Sequence, residues 1–194
     1  MTKEPRQVIT DARTMRAMAH PLRVRLLEAI IRDGELTATQ AAELLGESPG
    51  NMSWHLQTLA KYGFIEEAGE GRGRTRPWRA VSRSRSFDTG MGDPEQAAAG
   101  DELERTFVMR TFDQLRDWWS QRLGYSEKWR RAAFTSEAII YVTAEELEEI
   151  MEEVIAIRGR FKDRERDKGK RPGGSLPVHL YAHAHPMPPT PSGN

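Results

Sequence analysis

The stretch from Thr37 to Ile65, TATQAAELLGESPGNMSWHLQTLAKYGFI, constrains the fold more than any other part of the chain. It holds two helix signals in tandem. In the first, Thr37 followed three residues later by Gln40 makes a capping box, Ala41, Leu44 and Leu45 form the inner face, and Gly46 supplies the stop, which predicts a helix of about eight residues. In the second, Ser48 caps free backbone amides, Pro49 takes the first helical position where no N–H is missed, and Gly63 closes the helix. Met52, Leu56, Leu59 and Ala60 then face a core. Gly50, Asn51, Ser53, Trp54, Gln57, Thr58 and Lys61 stay wholly or partly outside, and that outer face is polar and mostly uncharged.

Upstream, a helix is predicted from near Asp11, with Met15, Met18 and Ala19 on one face. His20-Pro21 interrupts it, because the residue before proline avoids helical angles while proline suits a helix start. Leu22, Leu26, Leu27, Ile30 and Ile31 mark the next helix, which Asp33-Gly34 ends. Downstream, FIEEA reads as a strand, GEGRGR as a glycine-rich turn and TRPWRAV as the returning strand of a hairpin. Between residues 72 and 85 stand Arg72, Arg74, Arg76, Arg79, Arg83 and Arg85 with no acidic residue among them, a set suited to anions.

The apolar-poor run SRSRSFDTGMGDPEQAAAG predicts a module boundary. The expected division is a first domain over 1–82, a linker over 83–93, a second unit over 94–186 and a flexible tail over 187–194. The second unit should open with a long helix from about Pro94 to Leu123, with Val108, Phe112, Leu115 and Trp119 on a seam and Leu103, Phe107, Trp118 and Leu123 beside it. AAFTSEAIIYVT reads as one or two strands. An amphipathic helix follows, capped by Thr143 with Glu146 and turning Leu147, Ile150, Val154, Ile157 and Phe161 inward. LPVHLYAHAH alternates as a last strand. The fold class expected is therefore mainly α with a small β content (α+β).

The chain has no cysteine among its 194 residues, which excludes disulfides, thiolate metal sites and a cysteine nucleophile. The beginning, MTKEPRQVITDART, lacks the apolar core of a secretory signal, and no stretch approaches the roughly 18 apolar residues of a membrane span, so the cytoplasm is the expected compartment and no membrane is expected as partner. Formal charge is zero, but residues 1–87 carry 14 Lys and Arg against 10 Asp and Glu, and residues 88–194 carry 15 against 19. The first part is basic by four charges and the second acidic by four. A polyanion-facing module joined to one with another task fits that split.

A helix preceded by a short helix and a tight turn can enter the DNA major groove, while an arginine-bearing hairpin reaches flanking phosphates or the minor groove. Gly50 and Ser53 leave space for close approach, and Asn51 and Gln57 offer paired donors and acceptors suited to adenine, although an Asn at the third helical position can also turn toward the cap. Arg72, Arg74, Arg76 and Lys61 suit phosphates. Ser48, Pro49, Trp54, His55 and Thr58 complete the candidate surface, with His55 read as a partly buried residue bonded to backbone or phosphate.

The segments MAHPLRVRLLEAI, LTATQAAELLG, SPGNMSWHLQTLAKYGFIEE and GRGRTRPWRA closely resemble the winged helix-turn-helix domain of the ArsR (arsenic-repressor-like) family of bacterial transcription regulators. His20, Pro21 and Arg23 match one motif of that family, Ser53, His55 and Leu56 a second, and Gly63, Phe64 and Ile65 a third. The resemblance covers about residues 11–82. It implies a dimeric repressor or activator on double-stranded DNA with a near-palindromic operator, and residues 48–61 as recognition helix. Trp54 departs from the pattern, standing where the family usually has a polar residue such as Gln, which points its ring at sugar and phosphate or at the wing rather than at a base. The family's metal sensors use cysteines before the recognition helix or Asp, His and Glu clusters on a C-terminal helix; this chain has no Cys, and no His between 94 and 123. Residues 95–185 resemble the longer C-terminal region of actinobacterial members.

Other readings stay beside this one. His179, His183 and His185 share one face of the last predicted strand and could hold zinc or nickel, as a metal-responsive regulator would need, but solvated edge-strand histidines are the preferred reading. The aromatic stripe on the long helix reads as dimer or domain core before it reads as a ligand pocket. Trp54 could also anchor a partner if the winged helix were a protein-interaction scaffold. No phosphate loop, dinucleotide fingerprint, nucleophile elbow or zinc-protease motif is found, so neither enzyme activity nor a cofactor is expected. The sequence thus predicts a homodimeric DNA-binding regulator, read as a repressor, whose second unit dimerises and would be the place for a small-molecule effector.

Overall fold

Each helix start expected in the N-terminal half carries its capping side chain. A computed structural model of the chain describes residues 7–69, 76–81, 85–87 and 93–188. Strand β1 (Gln7–Ile9) leads to α1 (Ala12–Met18), where Asp11 Oδ1 accepts the Thr14 N–H at 2.8 Å. Helix α2 (Pro21–Asp33) begins on the His20-Pro21 break, with His20 Nδ1 accepting the Leu22 N–H at 3.2 Å, and ends at Gly34 with φ +99°. Helix α3 (Ala38–Leu45) has both bonds of the Thr37–Gln40 capping box and stops at Gly46, left-handed at φ +72°. Helix α4 (Pro49–Lys61) is capped by Ser48, and Gly63 takes φ +72° just beyond its end.

Strands β2 (Ile65–Glu67) and β3 (Trp78–Ala80) form the expected antiparallel hairpin, with Glu66 opposite Arg79. Leu36 adds a bridge to Trp78 through two backbone bonds of 2.8 and 3.1 Å, a contact across 42 residues that no local pattern announces. Strand β4 (Arg85–Phe87), inside the stretch expected as linker, pairs in parallel with β1 in the register Gln7↔Arg85 to Ile9↔Phe87.

The core gathers Met15, Met18, Leu26, Ile30, Met52, Leu56, Leu59, Phe64 and Ile65, all essentially without solvent exposure. One expected inner residue of α3, Leu44, is instead 46% exposed: its short helix seats against the core through Ala38, Ala41 and Ala42, with Leu45 packed beside them. Helix α5 (Pro94–Gln121) joins the same core through Ala99 and Leu103, with Phe107 packed beside them, and a short 3₁₀ turn (Arg122–Gly124) follows. Arg16 pairs with Glu95 at 2.7 Å and Arg110 with Glu28 at 2.8 Å, tying α5 to α1 and α2. Beyond that anchor, Phe112 and Trp119 of the expected seam are 60% and 56% exposed.

The chain divides into two compact units, residues 1–126 and 127–194. The second contains α6 (Glu127–Ala132), α7 (Ala144–Gly159), α8 (Lys162–Arg166) and a 3₁₀ turn (Lys168–Lys170). Two expectations are corrected here. Residues 133–143 and 176–185 are not strands, because an alternating pattern supplies a face but no ladder partner, and none of their backbone groups is paired in a sheet. Leu147, Ile150, Val154, Ile157 and Phe161 do not build an interior either: among the described residues of this unit none is buried. None of the helices described is long and apolar enough to cross a membrane.

Candidate nucleic-acid interface

Helix α4 is held rigidly from behind. Met52, Leu56 and Leu59 are buried to within 1% of complete and Ala60 is packed on the same core, so the opposite side has one orientation available to it. Gly50, Trp54, Gln57 and Lys61, spaced four, three and four residues apart, are all exposed and form one row along the helix. Ser53 and Thr58 flank that row, half-buried.

The polar side chains expected on this surface are not equally free. The Ser48 hydroxyl accepts the Asn51 N–H at 3.2 Å, and the Asn51 amide turns back to donate to Glu47 Oε2 at 3.0 Å, so one of its two side-chain N–H donors is engaged beside the cap. The Thr58 hydroxyl donates to the Trp54 carbonyl at 2.9 Å, leaving only its lone pairs to an outside group. Lys61 Nζ lies 5.6 Å from the centroid of the Tyr62 ring. Pro49 is exposed at the helix start. Gly50 stands in open space, where even a Cβ would meet nothing within 4 Å.

In the wing, Arg72 and Arg74 lie outside the described residues. Arg76 pairs with Glu67 at 2.5 Å and Arg79 with Glu66 at 2.8 Å across the hairpin. These arginines, which have no acid near them in their own segment, therefore find carboxylates on the preceding strand. All four side chains are substantially exposed, so such pairs contribute little and a phosphate can compete for the guanidiniums.

His55 is placed inside, at 3% exposure, rather than on the outer face. Its ring meets His20 at 4.8 Å and the edge of Trp54 at 4.7 Å, and Arg23, 9% exposed, sets its guanidinium carbon 6.0 Å from the centroid of the Trp54 ring. Arg23 also donates to the Arg16 carbonyl at 3.3 Å. Burial, then the neighbouring Arg23 charge, holds His20 below the ordinary histidine range. Burial does the same for His55, with His20 and Arg23 adding to it and Glu47 opposing. Both rings are thereby kept neutral near pH 7. Arg23 Nε and His55 Nδ1 are buried with no hydrogen-bond partner among the described residues. The sequence places His20 at a helix junction and Arg23 in the same motif; that His20 meets His55 and Arg23 meets Trp54 depends on how α2 crosses α4.

In the second unit, His179, His183 and His185 lie exposed along an extended segment, with His183 and His185 rings 5.2 Å apart and Tyr181 6.1 Å from His183. Among the described residues no group of three His, Asp or Glu is arranged to hold a metal ion.

Residues 18–68, which span the end of α1 through β2, match a family described as a helix-turn-helix domain. The chain is 38% identical over 63 residues to a protein of Streptomyces lividans described as a "Probable mercury resistance operon repressor"; the match covers 32% of this chain and 50% of that protein. The chain thus spans about half the length of this curated relative. Among solved structures it is similar to reduced HlyU from Vibrio cholerae, at 22% identity over 44% of this chain and 77% of that one, with a TM-score of 0.31. It is also similar to a homodimeric winged helix-turn-helix DNA-binding domain from Mycobacterium bovis, described as a possible ArsR-family transcriptional regulator, at 24% identity over 55% and 78% of the two chains, with a TM-score of 0.32. The helix-turn-helix match over residues 18–68 falls on the stretch that carries the motifs quoted above.

Proposed function

We propose that this chain is a sequence-specific, double-stranded-DNA-binding transcription regulator, a repressor acting as a homodimer, with α4 as its recognition helix. The observation that carries the reading is the exposed row Gly50, Trp54, Gln57 and Lys61 on a helix whose opposite side is locked into the core behind the short α3 and its tight turn. A rod about 10 to 12 Å wide with short side chains fits the major groove. Gln57 meets base edges, Lys61 and the wing arginines meet phosphates, and Asn51 serves the cap. Winged-helix residues 1–82 contact DNA and residues 94–186 join two copies; the exposed Phe112 and Trp119 on α5 support such a joint. Two recognition helices related by symmetry multiply the few base pairs that one can read. The similarity to a protein described as a repressor supports the direction of control.

Mobility-shift titration with duplexes selected from a random-sequence pool tests this. Replacing Arg72, Arg74 and Arg76 by alanine should weaken binding to all duplexes alike and reduce the slope of log affinity against log salt by about one per arginine that meets a phosphate. Gln57→Ala should instead change which duplexes are selected. Absence of any retained duplex at low salt would overturn the proposal.

A further inference from the structure

We infer that Trp54 is a sequence-reading residue of α4, its indole built to meet the C5-methyl group of a thymine in the major groove. The inference rests on the DNA-binding role proposed above and says which base feature the exposed row selects.

At 3.6 residues per turn, Gly50, Trp54, Gln57 and Lys61 fall within about 60° of arc, and all four are exposed. Trp54 therefore belongs to the central row of the outer face, not to its flank, where Ser53 and Thr58 lie. On a helix that enters a groove, flanking residues and those at its far end meet the backbone, and the central row nearer its start meets base edges. An indole on that row brings mostly carbon surface to the groove floor. The thymine methyl is the one apolar group that projects from the base edges there, and a polar edge covered by carbon would lose its water without a replacement.

The ring is also held in place before any DNA arrives. The Arg23 guanidinium carbon stands 6.0 Å from its centroid, and His55 abuts it at 4.7 Å with the ring planes 75° apart. Both supports are themselves buried, and Arg23 is anchored on the Arg16 carbonyl. With one side backed in this way and 57% of the residue still exposed, little side-chain freedom is left to lose on binding. One turn earlier, Gly50 leaves the row open beside the ring, giving a base edge room to approach. Among the described residues its ring neighbours are His55 and Arg23.

The test uses the full chain and a duplex that it selects from a random-sequence pool, resynthesised with deoxyuridine in place of thymidine one position at a time. In the wild type, loss of one methyl at one position of each half-site should weaken binding about fourfold, the effect of burying one carbon. In Trp54→Gln the same substitution should matter less than about twofold, and Trp54→Phe should retain most of the sensitivity. No sensitive thymine in the wild type overturns the inference, whatever becomes of the variants. Equal sensitivity in a Trp54→Gln chain with wild-type melting also overturns it. If Trp54→Gln binds every duplex as the wild type does, the ring faces something else, a protein partner included, and the inference fails while the DNA-binding proposal stands. If no duplex is retained even at low salt, the DNA-binding proposal fails and takes the inference with it.

Discussion

Helices α3 and α7 begin with the same device and end in different circumstances. Thr37 and Gln40 close a reciprocal capping box with bonds of 2.9 and 3.2 Å; Thr143 and Glu146 close another with bonds of 2.7 and 3.2 Å. Both helices carry an apolar stripe. Yet α3 buries Ala38, Ala41 and Ala42 against α2 and α4, whereas α7, twice as long, buries nothing among its residues. A cap and a stripe are enough to form a helix, but only a second apolar surface facing the stripe makes that helix part of a cooperative fold. The winged helix has such surfaces within one chain. The second unit leaves Ile150, Val154 and Ile157 in contact with water.

The sharpest way to break this contrast is to delete equivalent apolar side chains in the two regions. Leu56→Ala, at a site with no exposure, should cost about 3 kcal/mol of unfolding free energy in a urea titration, and Ile150→Ala less than about 1 kcal/mol. Equal losses would mean that α7 is covered in solution. Next come the ion pairs: Arg110→Ala removes a half-buried partner of Glu28 at the anchor of α5 and should cost about 1 kcal/mol, while Arg131→Ala, whose pair with Glu127 is open to solvent, should leave the denaturation midpoint where it was.

The two caps offer a finer comparison. Thr37→Ala should lower global stability by about 1 kcal/mol, whereas Thr143→Ala should show only as faster amide exchange at the start of α7 with an unchanged midpoint. The smallest effect near neutrality concerns the buried imidazoles. His20 and His55 have folded-state pKa values below the unfolded histidine value, so above that value both states are neutral and nothing is contributed. As pH falls below it, the unfolded chain takes up protons first and stability declines until the folded pKa is passed. Urea midpoints of the winged helix should therefore drop between about pH 7 and pH 5, and His55→Phe should flatten the decline; a flat wild-type profile would show that the rings are more solvated than their packing implies.

Much of the first unit was legible because its signals are local. Asp11, Thr37 and Ser48 each bond an amide three residues away, and Gly46 and Gly63 adopt the left-handed backbone that ends a helix. The candidate surface was legible to the same degree: helical spacing alone brings Gly50, Trp54, Gln57 and Lys61 to one side. What spacing could not show is where a side chain spends its hydrogen bonds. Asn51 turns to Glu47, Arg76 and Arg79 find Glu67 and Glu66 across the hairpin, and His55 sinks between Trp54 and His20. The strands expected at 132–143 and 176–185 failed for a related reason, since alternation specifies a face and never the neighbour that must hydrogen-bond to it.

The amino-acid order by itself determined where helices start and stop, which stripe of each is apolar, and that the outer row of α4 is polar around one tryptophan, because those properties depend on residues within about one helical turn of each other. Only the tertiary structure decided that Leu36 bridges to Trp78, that β1 pairs with β4, that Arg23 and His55 stand behind Trp54, and that α7 buries nothing. Each of these depends on which surfaces meet across tens of residues, where packing and desolvation outweigh local preference.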